Sequence, residues 1–210
     1  MRIVFATSEA NPYIKSGGLA DVLGSLPKAL VQKGHECIVV LPKYQDMKLA
    51  ETLEYVASYD IWVGWRKCYC GVFTAKHDGV TYYFIDNEYY FKRDNFYGYF
   101  DDAERFAFFS KAAIDVMIFI DEIPDIIHVH DWQAGMLPIY LRTLYYHDTR
   151  FAKVKTVFTI HNIEYQGIYA YDQDIIEDVF GLSFNDGYLL EYLGKVNIMK
   201  GAMEAANFVT

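Results

Sequence analysis

Arg2-Ile3-Val4-Phe5-Ala6-Thr7, the turn-rich stretch Ser8 to Gly18, the run Leu19-Ala20-Asp21-Val22-Leu23-Gly24-Ser25-Leu26-Pro27-Lys28-Ala29-Leu30, Gly34, and then Cys37-Ile38-Val39-Val40-Leu41 decide the fold class. The first run is short, continuous and apolar, the pattern of a strand buried on both faces. Leu19, Val22, Leu23, Leu26 and Leu30 recur at three- and four-residue spacing, which gives a helix one apolar stripe. Gly34 stops it, and Cys37 to Leu41 is a second buried strand. Two such strands joined through a helix pair in parallel, with a right-handed crossover. Pro27 conflicts with the helix interior and predicts a kink near Leu23 or a split into two short helices.

Further along, Thr52 to Asp86 changes to short alternating or aromatic segments, around Ile61 to Val63, Tyr69 to Ala75 and Thr81 to Ile85. His77-Asp78-Gly79 supplies a hairpin turn, so some of these extra strands are expected to be antiparallel. Asp101-x-x-Glu104 reads as a capping box with Asp in the Ser/Thr role, opening a helix whose buried stripe is Phe106, Phe109, Ala113, Val116, Met117 and Ile120. Then come a strand at Ile126 to Val129, a helix from Gln133 to Tyr146, a strand at Val154 to Ile160, a loop, and two or three helices up to Asn207, the last from Gly194 to Ala206. The alternation predicts one α/β domain over residues 1–210, a doubly wound and mostly parallel Rossmann-like sheet carrying extra short strands around residues 52–86. Asn207 to Thr210 reads as the start of another strand, so the chain is expected to be a truncated form of a longer one.

Composition narrows the function classes. The 210 residues are 53% hydrophobic with a net charge of −9, which supports a packed core and excludes disorder. The acidic balance argues against wrapping a phosphate backbone, so nucleic acid is not an expected partner. Nor is a membrane: no uncharged run approaches 18 residues. Cys37, Cys68 and Cys70 have no framework spacing, and the N-terminus reaches Glu9 without a leader's apolar segment, which predicts a cytoplasmic protein. Most of the Tyr 19, Phe 15 and Trp 3 are core and cross-strand packing, with some left to line a sugar cleft.

In an open parallel sheet, ligands gather beyond the carboxyl ends of the strands. Three such exits are polar here: Ser8, Glu9, Lys15, Gly17, Gly18 and Asp21; then His130, Asp131 and Trp132; then His161, Asn162, Tyr165, Gln166 and Gly167. Lys15-Ser16-Gly17-Gly18-Leu19 opens a helix with a cation and bare backbone, suited to a phosphate, although two glycines before a helix also make an ordinary turn. His128-Val129-His130-Asp131 invites a metal-hydrolase reading, against which His128 is a packed core residue and Asp131 caps the next helix. His161-Asn162 is either a structural pair or part of a site.

Taken together, these segments resemble the N-terminal domain of bacterial glycogen synthase and plant starch synthase, retaining ADP-glucose-dependent glycosyltransferases of the GT-B architecture. Lys15-Ser16-Gly17-Gly18-Leu19-Ala20-Asp21-Val22 is similar to the family's K-T-G-G-L-A-D-V, and Ser8-Glu9-Ala10-Asn11-Pro12 to its S-E-x-x-P. His128 to Gly135 resembles H-x-H-D-W-x-A-G, and Thr159 to Gly167 resembles T-x-H-N-x-x-Y-Q-G. Tyr97-Gly98, Glu104 to Phe109 and Asn197-x-x-Lys200-Gly201 extend the likeness from end to end.

The resemblance implies transfer of glucose from ADP-glucose to the nonreducing 4-hydroxyl of an α-1,4-glucan such as glycogen, with no cofactor and no metal. It implies that Lys15, Gly17 and Gly18 hold donor phosphate, and that His161 and Asp131 are the catalytic residues. His161 would contact the glucosyl unit, with its main-chain carbonyl near the anomeric carbon. Glu9, Asp21, Tyr97, Trp132, Asn162, Tyr165, Gln166 and Asn197 would serve the sugar and acceptor side, with Glu9 and Asp21 either bonding hydroxyls or fixing the Lys15 loop. Lys92-Arg93-Asp94-Asn95 departs from the family's D-R-P-G and predicts a looser loop before Tyr97. The family's C-terminal domain supplies the nucleotide pocket and a Glu-x7-Glu motif, and no such glutamate pair occurs here, so the chain alone is expected to be inactive. A non-catalytic α-glucan-binding module and a metal-dependent hydrolase are the competing readings.

Overall fold

A computed structural model describes all of residues 1–210. In chain order its elements are β1 (Arg2–Ala6), α1 (Gly18–Gln32), β2 (Glu36–Pro42), β3 (Glu54–Val63), β4 (Arg66–His77), β5 (Val80–Asp86), α2 (Glu88–Phe91), α3 (Asp102–Phe119), β6 (Ile126–His130), α4 (Met136–Arg142), β7 (Lys155–Thr159), β8 (Ile168–Ala170), β9 (Glu191–Tyr192), β10 (Lys195–Asn197), α5 (Ile198–Ala205) and β11 (Phe208–Val209).

Eight strands form one sheet in the order β11-β7-β6-β1-β2-β5-β4-β3, with parallel pairing throughout except at the β5-β4-β3 edge. The chain runs from β1 to β2, jumps to the far edge at β3, comes back through β4 to β5 beside β2, and then crosses to the other side of β1 with β6. The gap between β1 and β6 is therefore the topological switch point, where an open α/β sheet leaves a crevice. Register and alternation place the helices. Tyr82 and Phe84 of β5 meet Tyr13, and the pairing Phe73↔Phe84 puts Phe73 on that same face. Tyr59 pairs with Cys70 on the opposite face and stacks on Phe119 of α3. Layers on both faces, with α3 buried along most of its length, make the sheet doubly wound.

Several local expectations change. The helix α1 runs uninterrupted through a buried Pro27 and does not split; it ends as expected on Gly34, whose φ of 85° is the left-handed stop. The strands β3 and β4, expected to be short, are the longest in the sheet at 10 and 12 residues, and Asp78-Gly79 turns β4 into β5 with both φ positive. No capping box forms at Asp101: its carboxylate takes both arms of Arg93, at 2.6 and 2.7 Å, and Glu104 accepts from the Tyr90 hydroxyl and forms an ion pair with Arg66 instead. The region after Ile160, expected to hold a loop and two or three helices, also contains a second antiparallel sheet, β8-β10-β9, so the last helix starts at Ile198 and not at Gly194. Its turns dock on the β3-β4 hairpin, where Arg66 caps the carbonyls of Asp178 and Val179.

Candidate active site

The three polar strand exits meet in one cavity of about 860 Å³ beyond the carboxyl ends of β1, β6 and β7. Nine of the expected residues line it: Glu9, Gly17, Gly18, Tyr97, Asp131, Trp132, His161, Asn162 and Tyr165. Lys15 and Asp21 are not in its lining but flank the Ser16–Leu19 stretch that is. Gln166 and Asn197 lie behind the lining and bond each other at 2.7 Å, and Asn197 Oδ1 caps α5 through the Lys200 N–H at 2.9 Å.

Glu9, buried just after β1, acts as the fastener of the glycine loop. Its carboxylate accepts from the Ser16 N–H, from Ser16 Oγ at 2.6 Å, from the Gly17 N–H at 3.2 Å and from the Tyr97 hydroxyl at 2.8 Å. Tyr97 Oη also lies 2.8 Å from Ser8 Oγ, and burial pushes its phenol well above the usual range. With the Gly17 N–H already taken and no side chain capping α1, the free donors at the helix entrance are the N–H groups that begin at Gly18. A Cβ at Gly17 or Gly18 would meet nothing within 4 Å, so the space over this backbone is open. Lys15 Nζ stands 2.7 Å from both oxygens of Asp21, with both side chains about half exposed.

Asp131 follows β6 with a φ of 57°, a left-handed conformation that an aspartate adopts only where its surroundings demand it. It does not cap the helix after it. Its Oδ1 reaches across to the exit of β7 and accepts the N–H of His161 at 2.7 Å and of Asn162 at 3.3 Å. Burial raises its pKa, with the His161 N–H pulling the other way. Trp132 offers the cavity only an edge: it packs on Phe106 and under Gly167, where a Cβ would come within 2.6 Å of the indole. His128, His130 and His161 do converge, but His130 Nδ1 is engaged with His161 Nε2 and His128 Nε2 with Thr159 Oγ1, so these nitrogens are not turned to a common point, which disfavours a metal. The loop before Tyr97, expected to be loose, is pinned by Arg93 on Asp101 and by the fully buried Arg105, which donates to the carbonyls of Tyr90 and Phe96. Asp102 closes that loop by accepting the N–H of Gly98 at 2.7 Å and of Tyr99 at 3.2 Å. Asp102, Ser16, Gly98 and Gln133 also line the cavity, beyond the residues expected there from the sequence. Ser16, Gly98 and Gln133 sit inside the motifs quoted above, whereas Asp102 gives no signal of its own.

A doubly wound sheet with its polar loops gathered at the switch point is the architecture of one half of a GT-B glycosyltransferase. The chain belongs to the family described as the starch synthase catalytic domain, whose profile matches residues 2–210. It is 49% identical over 218 residues to the glycogen synthase of Exiguobacterium sibiricum and 45% identical over 216 residues to that of Anoxybacillus flavithermus, in each case with 100% of this chain covering 44% of the relative. The chain thus spans less than half the length of these curated relatives. Among solved structures, the catalytic domain of starch synthase IV from Arabidopsis thaliana, bound to ADP and acarbose, superposes with a TM-score of 0.88 at 31% identity, covering 99% of this chain and 44% of that one.

Proposed function

We propose that this chain is the N-terminal, acceptor-side half of a glycogen synthase that moves glucose from ADP-glucose to the nonreducing 4-hydroxyl of an α-1,4-glucan with retention, in the cytoplasm and without a cofactor. The observation that carries the reading is the convergence of Glu9, Asp131 and His161, from three distant strand exits, on one cavity of about 860 Å³. The size and polarity suit a sugar: amides, hydroxyls and backbone N–H groups match pyranose hydroxyls, and exposed Tyr165 offers a ring face. Lys15 and the open α1 entrance suit the donor's phosphates. In this reading Asp131 acts through the backbone, holding the His161–Asn162 peptide so that the His161 carbonyl faces the reacting carbon. Groups that neutralise the departing diphosphate would come from a C-terminal partner domain, so the chain alone transfers no glucose.

The test joins this chain in frame to the C-terminal half of the Exiguobacterium sibiricum relative and follows glucose transfer from ADP-glucose to glycogen. The joined protein is expected to be active and the 210-residue chain inactive. Turnover by the chain alone at a full-length rate refutes the division of labour. Inactivity of a folded joined protein, together with tight maltooligosaccharide binding by the chain, favours a glucan-binding module instead.

A further inference from the structure

Behind the cavity wall three imidazoles stand in a column. The rings of His128 and His130 are 4.2 Å apart and those of His130 and His161 are 5.1 Å apart, with Phe5 against the first two. His130 is fully buried; its Nδ1 lies 2.8 Å from His161 Nε2, and its own Nε2 is buried with no hydrogen-bond partner. A hydrogen bond between two ring nitrogens needs one N–H and one lone pair. With the His130 proton on Nε2, a donor would be orphaned in an apolar pocket, which is rarer in folded proteins than an unpaired acceptor. With the proton on Nδ1, the orphan is a bare lone pair and the short contact becomes a donation from His130 to His161. Neutral His161, accepting at Nε2, then carries its proton on Nδ1. Protonating both rings would set two N–H groups head to head. Burial, reinforced by the neighbouring imidazoles, already pushes His128 down to about 4 and His130 well below its ordinary range.

We propose that His130 is a positioning residue that fixes His161 as its Nδ1–H tautomer, so that the imidazole offers the cleft a hydrogen-bond donor. His161 lines the cavity, and its Nδ1 has no partner in the chain and is not a buried atom, so that donor is free for a sugar hydroxyl oxygen. This use of the donor rests on the glucosyl-transfer reading; the tautomer does not.

The experiment is a long-range proton–nitrogen correlation spectrum of the nitrogen-labelled 210-residue chain, which tells a protonated ring nitrogen from a bare one. The expected result is a protonated Nδ1 and a bare Nε2 on both His130 and His161. His130→Asn keeps an amide donor where Nδ1 stood and is expected to preserve the His161 pattern. His130→Leu removes the donor and is expected to shift the His161 proton to Nε2. A wild-type His161 protonated on Nε2 overturns the proposal whether or not either variant folds, and so does an unchanged His161 tautomer in a folded His130→Leu. The spectrum reads the tautomer directly, so a joined enzyme that fails to transfer glucose overturns the glucosyl-transfer reading and leaves the tautomer standing.

Discussion

Replacing Glu9 by Gln and by Ala separates a fastening carboxylate from one merely lining a cleft. Each carboxylate oxygen receives two donors: Ser16 Oγ and the Tyr97 hydroxyl at Oε1, and the backbone N–H groups of Ser16 and Gly17 at Oε2. Gln fits one way round, with its carbonyl towards the backbone N–H groups, which only donate, and its NH2 towards the two hydroxyls, which rotate to accept. All four contacts survive and only their charge assistance is lost, a cost of about 1 kcal/mol. Ala strands two backbone donors at about 1–3 kcal/mol each; water reaching the exposed Ser16–Gly17 backbone brings the total to roughly 2–4 kcal/mol. For a domain of this size that corresponds to a Tm lowered by about 2–4 °C for Glu9→Gln and roughly 4–16 °C for Glu9→Ala. Urea and thermal unfolding followed by circular dichroism read both numbers, and amide exchange at Ser16 and Gly17 locates the change. Equal losses in the two variants, or an Ala variant within about 0.5 kcal/mol of wild type, refute the assignment of Glu9 as the clasp of the glycine loop.

Asp131→Ala frees the His161 and Asn162 N–H groups and keeps a side chain at positive φ, so it should lower stability by about 2–3 kcal/mol in urea, whereas Asp131→Asn, which keeps the acceptor, should lose about 1 kcal/mol. Gly64→Ala places a Cβ 2.7 Å from the Glu177 carbonyl at a φ of 57° and should cost roughly 2–4 kcal/mol, read from the urea midpoint at constant m-value. Burial pushes Cys70 up to about 12 and Cys37 up to about 11, so a thiol reagent at neutral pH should label neither until the chain unfolds; fast labelling of the native protein contradicts their burial. Half-buried His128 is pushed down to about 4 from 6.5 by loss of solvent, so the unfolded chain binds more protons between those values and stability falls as pH drops through that window; wild type should lose about 2–3 kcal/mol more than His128→Gln between pH 7 and pH 4.

The parallel half of the sheet is legible because its strands are buried on both faces and therefore read as unbroken apolar runs, as at Val4 and Val39. The switch point follows from chain order, and with it the meeting of the Glu9, Asp131 and His161 loops. Less legible is anything decided by a partner distant in sequence. Asp101 has the spacing of a capping box, yet Arg93 offers its carboxylate a bidentate ion pair worth more than a backbone cap. The same pair stiffens the loop that Lys92 to Asn95 makes look loose. Strand β4, read only around Tyr69 to Ala75, begins at Arg66, whose side chain is turned inward to cap the 174–179 segment. Asp131 has the position of a local helix cap because sequence spacing does not reveal an N–H arriving from 30 residues away.

This wall carries little free negative charge. Glu9, Asp102 and Asp131 are the carboxylates that line the cavity, and each is already occupied by backbone N–H groups, joined by hydroxyls at Glu9 and by Arg105 at Asp102. Their charge is therefore spread over donors that the protein itself supplies, and it orders three loops without confronting an anionic ligand. The one pairing left at the water boundary is Lys15 with Asp21, and an ion pair that exposed is worth only about 0–1 kcal/mol. A phosphate arriving at the α1 entrance can draw Lys15 away at that small cost while the helix N-terminus supplies donors that no side chain occupies. The weak pair keeps the cation folded back over the entrance, whereas the stronger ones hold the entrance in shape. Cutting Asp21 to Asn should on this logic leave stability within about 0.5 kcal/mol and raise the affinity of the chain for inorganic pyrophosphate in calorimetry. A weaker affinity would mean that Asp21 orients Lys15 for the ligand and does not compete with it.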